Sequence, residues 1–128
     1  MSLRTPVGRA LGLGTAKDGV SHWWVQRLSA VALVPLTAWF LVSLLRAGPA
    51  DFASVHAWLA GPWNAIGALL LVLVLSLHSR LGLQIIVEDY VHQPALKLTA
   101  LVLIDLAHVL AGAAGIFAIL KVALGAPA

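Results

Sequence analysis

The sequence predicts an all-α integral membrane protein with three transmembrane helices running up, down and up. Three observations predict it. The 128 residues are 61% hydrophobic and only 10% charged, with a mean hydropathy of +0.97. A soluble domain is nearer half apolar and a quarter charged, so a chain this short can place its excess apolar surface only in lipid or against a large partner. The apolar residues also gather into three stretches of spanning length, divided by Gly-Pro punctuation or by a charged turn. Finally, the link between the second and third stretches is short, which makes those two antiparallel neighbours.

Taken in order, residues 1–22 form a polar arm carrying Gly8, Gly12, Gly14 and Gly19 with Arg4, Arg9 and Lys17. A cleavable signal peptide is poorly supported, because the apolar segment that follows is of spanning length. The first span covers about 23–45 and is closed by Arg46. Trp23 and Trp24 suit an interfacial aromatic belt at its start. Pro35 removes a backbone hydrogen bond in mid-span and predicts a kink of the kind membrane helices tolerate. Gly48-Pro49 and Gly61-Pro62 punctuate the next connection. Between them, residues 51–59 predict a short helix along the interface with Asp51 as its N-cap. The second and third spans cover about 64–87 and 96–124, so residues 1–128 make a single membrane domain.

Charge sets the orientation. With three spans, the N-terminal arm shares a side with the 88–95 turn. That side holds Arg4, Arg9, Lys17 and Lys97, with Arg27 near its boundary, against Arg46 and Lys121 on the other. The positive-inside rule then predicts a cytoplasmic N-terminus and an outer C-terminus. The absence of cysteine excludes disulfides, thiolate nucleophiles and iron–sulfur clusters ligated by this chain. An electron carrier here must be held by histidine or belong to a partner. The basic residues are few and scattered, which argues against nucleic-acid binding.

The residues that carry chemistry cluster on the second span and at the cytoplasmic boundary. At 100° per residue, Gly67, Leu71, Val74, His78, Gly82, Ile85 and Asp89 share one stripe. From His78 to Asp89 the helix turns through roughly 20° net and rises roughly 16 Å. The two glycines let something approach the backbone closely: a neighbouring helix, or a flat macrocycle ligated by His78. A proton relay or a hydrogen bond to a partner also explains an intramembrane histidine. Arg80 points well away from His78 and snorkels, pairs with an acid on a partner or faces a polar cavity. Asp89 and Tyr90 either end the helix in water or act together, since a phenol beside a carboxylate can donate to a quinone carbonyl and relay a proton. At the start of the first span, Arg27 sets orientation by snorkelling, or meets an anionic group such as a lipid phosphate or a haem propionate.

These pieces resemble a known family. His78-Ser-Arg-Leu-Gly82, followed by Asp89-Tyr90-Val91-His92, is similar to the haem-and-quinone segment of the small hydrophobic membrane anchor, the D subunit, of succinate dehydrogenases. His22-Trp23 with Arg27 resembles the start of the same subunit, especially in mitochondrial and alphaproteobacterial forms. The resemblance covers most of the chain after residue 18 and implies a membrane-anchor domain bundled with a companion. It implies that His78 is one axial ligand of a haem b, the other coming from the cytochrome b (C) anchor subunit. Tyr90 would bond a ubiquinone carbonyl, with Asp89 supporting it. Arg27, and less directly His22, would lie near haem propionates or the quinone pocket. The implied partners are that companion, the flavoprotein subunit, the iron–sulfur subunit and membrane lipid, in the bacterial inner membrane with the N-terminus cytoplasmic. Such a chain catalyses nothing alone. It lets the complex join the tricarboxylic acid cycle to electron transport.

One feature falls outside that pattern. Asp105 and His108 are neighbours on one face of the third span and form a pair facing the companion subunit, or His108 serves with His78 as a second haem ligand within the chain. The latter would make a stand-alone small cytochrome b or quinol-oxidising subunit. A cofactor-free transmembrane adaptor is the third reading of the same residues.

Overall fold

Proline starts two of the helices. Pro62 and Pro94 both stand in the first helical turn, where a missing backbone N–H costs nothing and the fixed φ suits the helix. The computed structural model describes residues 15–46, 48 and 51–125. Among these residues four helices follow in order: α1 (Thr15–Arg46), α2 (Phe52–Ala60), α3 (Pro62–Tyr90) and α4 (Pro94–Ala123). Among the described residues there are no strands. Of the polar arm expected over residues 1–22, residues 1–14 lie outside the described residues, and from Thr15 onward the chain is helical. Helix α1 continues through Pro35.

The short helix forms as its sequence predicts. The Asp51 side chain accepts the Ser54 backbone N–H at 2.7 Å and caps α2. That bond holds the Asp51 carboxyl below the ordinary aspartate range. At the far end, α3 runs on to Tyr90, so only residues 91–93 separate it from α4. The turn is held from both sides. Lys97 Nζ donates to the Glu88 carbonyl at 2.9 Å, and His92 Nδ1–H donates to the Tyr90 carbonyl at 3.1 Å. Gly125, at φ +72°, takes the left-handed conformation that ends α4.

Helix α3 is the centre of the molecule. It packs on α1 along one side and on α4 along the other, while α1 and α4 do not touch among the described residues. Small residues make both contacts close. A Cβ on Gly67 would lie 2.7 Å from Trp39 Cζ2 of α1 and closer still to Cη2. On the other side, Gly115 admits Val72 and the buried Gly112 sits against Ser76. At the α2 end, Trp39 and Phe40 pack on Trp58 with ring centroids 5.8 and 6.0 Å apart. Nearby, Ala65, Ala68 and Ile119 form a small core.

That core is thin. Large apolar side chains face outward on every long helix, among them Val34 and Leu45 of α1, Leu73 and Ile86 of α3, and Leu110 and Phe117 of α4. Among the described residues three helices, Val20–Arg46, Pro62–Tyr90 and Pro94–Ala123, are long and apolar enough to cross a membrane. The chain is a multi-pass membrane protein whose outer surface is built for lipid and for other subunits.

Candidate functional site

Because α1 and α3 run antiparallel, the N-terminal part of α1 lies beside the C-terminal part of α3. His22, Gln26 and Ser29 are spaced four and three residues apart, which puts them on one face of α1. That face meets the His78 stripe of α3. Between the helices is a cleft of about 490 Å³, lined by His22, Trp23, Gln26, Arg27, His78 and Ile85 among others.

The polar groups of this cleft fall into two kinds. Some are tied together. Ser29, the one buried polar residue among those described, donates its hydroxyl to the Gln26 carbonyl at 3.0 Å. The same oxygen lies 3.0 Å from His78 Nδ1. Others have no partner. His22 Nε2 and Gln26 Oε1 are buried without a hydrogen bond among the described residues. Buried polar atoms of this kind are rare and ask for a ligand, an ion or water. His78 Nε2 likewise bonds to nothing among the described residues. Arg27 lies with its guanidinium 5.6 Å from the Trp23 ring centroid and forms no ion pair among them.

The sequence-predicted residues therefore separate into two groups. His22, Arg27 and His78 meet in the cleft. Asp89 and Tyr90 do not join them and stand exposed at the end of α3, Tyr90 at 78%. The stripe running from Gly67 through His78 and Gly82 to Ile85 does lie on one side, as its spacing predicts, and that side faces α1. Gly67 accommodates an indole, and Gly82 accommodates the Gln26 side chain, whose Nε2 lies 3.4 Å from where a Cβ would be. The helix-packing reading is borne out at Gly67, where the indole leaves no room for a Cβ; at Gly82 a Cβ would make only ordinary contact with Gln26.

The opposite side of α3 holds a second polar cluster. Arg80 Nε donates to Asp105 Oδ1 at 2.6 Å and Nη2 to Oδ2 at 3.0 Å, a two-pronged ion pair. His108 Nδ1–H donates to the Ile104 carbonyl at 2.7 Å, so its Nε2 accepts the Ser79 hydroxyl at 3.1 Å. The expected Asp105–His108 pairing is not formed, because the Arg80 fork offers Asp105 two charge-assisted bonds. Nor does His108 join His78, since both its ring nitrogens are engaged on the α4 side of α3. Among the described residues no three His, Asp or Glu side chains gather to hold a bare metal ion.

Sequence reasoning passed over Ser29 and Gln26. The polar spacing at 22, 26 and 29, which puts the three on one helix face, was the signal for them. It also left Arg80 unassigned, although Arg80 and Asp105 are at matching distances from the α3–α4 turn, roughly 15 Å along each helix.

Comparison with known proteins agrees with this architecture. Residues 1–114 match the family described as the succinate dehydrogenase/fumarate reductase transmembrane subunit. The chain is 32% identical over 116 residues to the succinate dehydrogenase hydrophobic membrane anchor subunit of Rickettsia bellii, covering 91% of this chain and 93% of that one. It is 32% identical over 122 residues to the subunit of that name from Paracoccus denitrificans, covering 95% and 94%. A succinate dehydrogenase membrane anchor subunit of Reclinomonas americana is 31% identical over 91 residues, covering 69% and 76%. With three apolar spans and a match along most of its length, the chain belongs to the succinate dehydrogenase/fumarate reductase transmembrane subunit family, as a succinate dehydrogenase hydrophobic membrane anchor subunit.

Proposed function

We propose that this anchor holds a b-type haem through His78 and supplies part of a ubiquinone-reduction site through Tyr90 and Asp89. Electrons from succinate then pass through the complex to quinone. An anchor subunit works in association with other subunits, and the ones this reading requires are a flavoprotein, an iron–sulfur protein and a companion cytochrome b anchor.

The observation that carries the haem reading is the cleft itself. It sets an imidazole with an unengaged Nε2 beside two buried polar atoms that lack partners. The donors suit the group. A neutral imidazole nitrogen is an ordinary haem ligand, and His22 and Arg27 offer N–H groups for its propionate carboxylates. His22 is two turns from Ser29, roughly 10 Å along α1. At that separation His22 would offer its N–H to the propionates and leave ligation to His78. His108, with both ring nitrogens engaged, is not free to serve with His78, so on this reading a second ligand would come from the companion subunit. The haem, when bound, supplies one-electron transfer.

The quinone reading rests on position and donor chemistry. The Tyr90 phenol donates a hydrogen bond to a carbonyl, and the adjacent Asp89 carboxylate can exchange protons with water. Both are exposed at the helix end, where the two protons of quinone reduction are available. Arg4, Arg9, Lys17 and Lys97 favour placing this end, with the N-terminus, on the cytoplasmic side of the bacterial inner membrane. Succinate is oxidised by soluble subunits docked on that side.

The test is the dithionite-reduced minus oxidised spectrum of the purified complex. The parent complex shows a low-spin b-type band, and His78→Ala loses it or turns it high-spin. An unaltered six-coordinate spectrum in the assembled His78→Ala complex overturns the ligand assignment.

A further inference from the structure

We propose that Ser29 is a positioning residue for His78, fixing both the tautomer and the plane of the imidazole so that Nε2 is the nitrogen offered to iron. This deepens the haem reading above and rests on it.

The argument is one of proton counting. A serine hydroxyl carries a single proton, and Ser29 gives it to the Gln26 carbonyl, which has none to give back. Toward His78, 3.0 Å away, the Ser29 oxygen can therefore only accept. His78 must present Nδ1–H to it, and in the neutral ring the lone pair is then on Nε2. The relay starts from a fixed point, because the Gln26 carbonyl belongs to the backbone of α1. It is also shielded, since Ser29 is only 6% exposed. The serine bonds back to the residue three before it, a local bond that holds its own rotamer.

Two consequences follow for a histidine that ligates iron. An acceptor on Nδ1–H makes the opposite nitrogen more basic, which favours the ferric over the ferrous state and lowers the midpoint potential. The same bond prevents rotation of the ring about its axis toward the iron. Outer-shell partners of this type typically change metal affinity by about 10- to 100-fold.

The experiment uses the intact complex and a nearly isosteric pair, Ser29→Thr and Ser29→Val, with Ser29→Ala alongside. Thr keeps the hydroxyl and Val does not. The readouts are the midpoint potential of the haem by redox titration and the g values of its ferric low-spin electron paramagnetic resonance signal. The expected result is that Thr matches the parent, while Val and Ala shift the midpoint upward and move the largest g value. Equal potentials and g values for Thr, Val and the parent overturn the proposal. The His78→Ala complex separates the two claims. If it keeps the parent's haem signal, the ligand reading itself fails. If it loses the signal while Ser29→Val is indistinguishable from the parent, only the role of Ser29 falls.

Discussion

Arg80 and Asp105 form a bidentate ion pair well inside the membrane-spanning length of α3 and α4, with their side chains 40% and 49% exposed on the isolated chain. Hydrocarbon does not solvate charge, so each residue depends on the other, and their outer edges need a subunit or water to cover them. Removing one partner leaves the other charge alone, whereas removing both removes the problem. Arg80→Leu and Asp105→Leu, each alone, are therefore expected to lower the yield of assembled complex several-fold, and the double variant to recover much of it. Immunoblotting of membranes for all subunits measures this. A double variant no better than either single one counts against the pair. This pair also marks where sequence reading ran out. Helical spacing gives the direction of Arg80 on its own helix but not what the neighbouring helix presents there. Ser29 was missed for a related reason: its spacing from His22 and Gln26 gives its face on α1 but not the Gln26 carbonyl and His78 ring that meet its hydroxyl there.

At the scale of elements, α3 carries the architecture. Its two sides serve different ends, one meeting α1 along the His78 stripe and the other meeting α4 along Gly112 and Gly115. At Gly67 the Trp39 ring of α1 occupies the space a side chain would need. That ring also packs against Phe40 and Trp58, so it has little freedom to yield. Gly67→Ala is expected to destabilise the fold by about 1–3 kcal/mol through overpacking. In a Trp39→Leu background the same change costs less, and a double-mutant cycle on unfolding in detergent measures the difference. Additive effects contradict the contact. The two glycines of the stripe were legible as sites of close approach. The identity of what approaches was not, since a tryptophan on another helix and a flat cofactor both demand the same absence of a Cβ. Helix ends were legible only in part. Apolar runs mark what lies in hydrocarbon, while α1 and α3 continue into polar sequence whose backbone remains satisfied.

At the scale of the molecule, composition alone dictated the class. So apolar a chain with so thin a core reaches stability only in a bilayer and against companion helices. The spacing of His78, Gly82, Asp89 and Tyr90 carried the family resemblance, and the match over residues 1–114 bears that family out. The central claim concerns how one helix serves two chemistries at once, with His78 in the cleft against α1 and Tyr90 exposed near the aqueous boundary. The most direct measurement is made on the purified complex carrying Tyr90→Phe. Succinate:ubiquinone reductase activity is expected to fall at least tenfold, while succinate-driven reduction of an artificial dye and the haem difference spectrum stay as in the parent, a loss of about 1.4 kcal/mol or more in transition-state stabilisation. Full ubiquinone activity in that complex, or loss of its haem signal, contradicts the separation of the two sites.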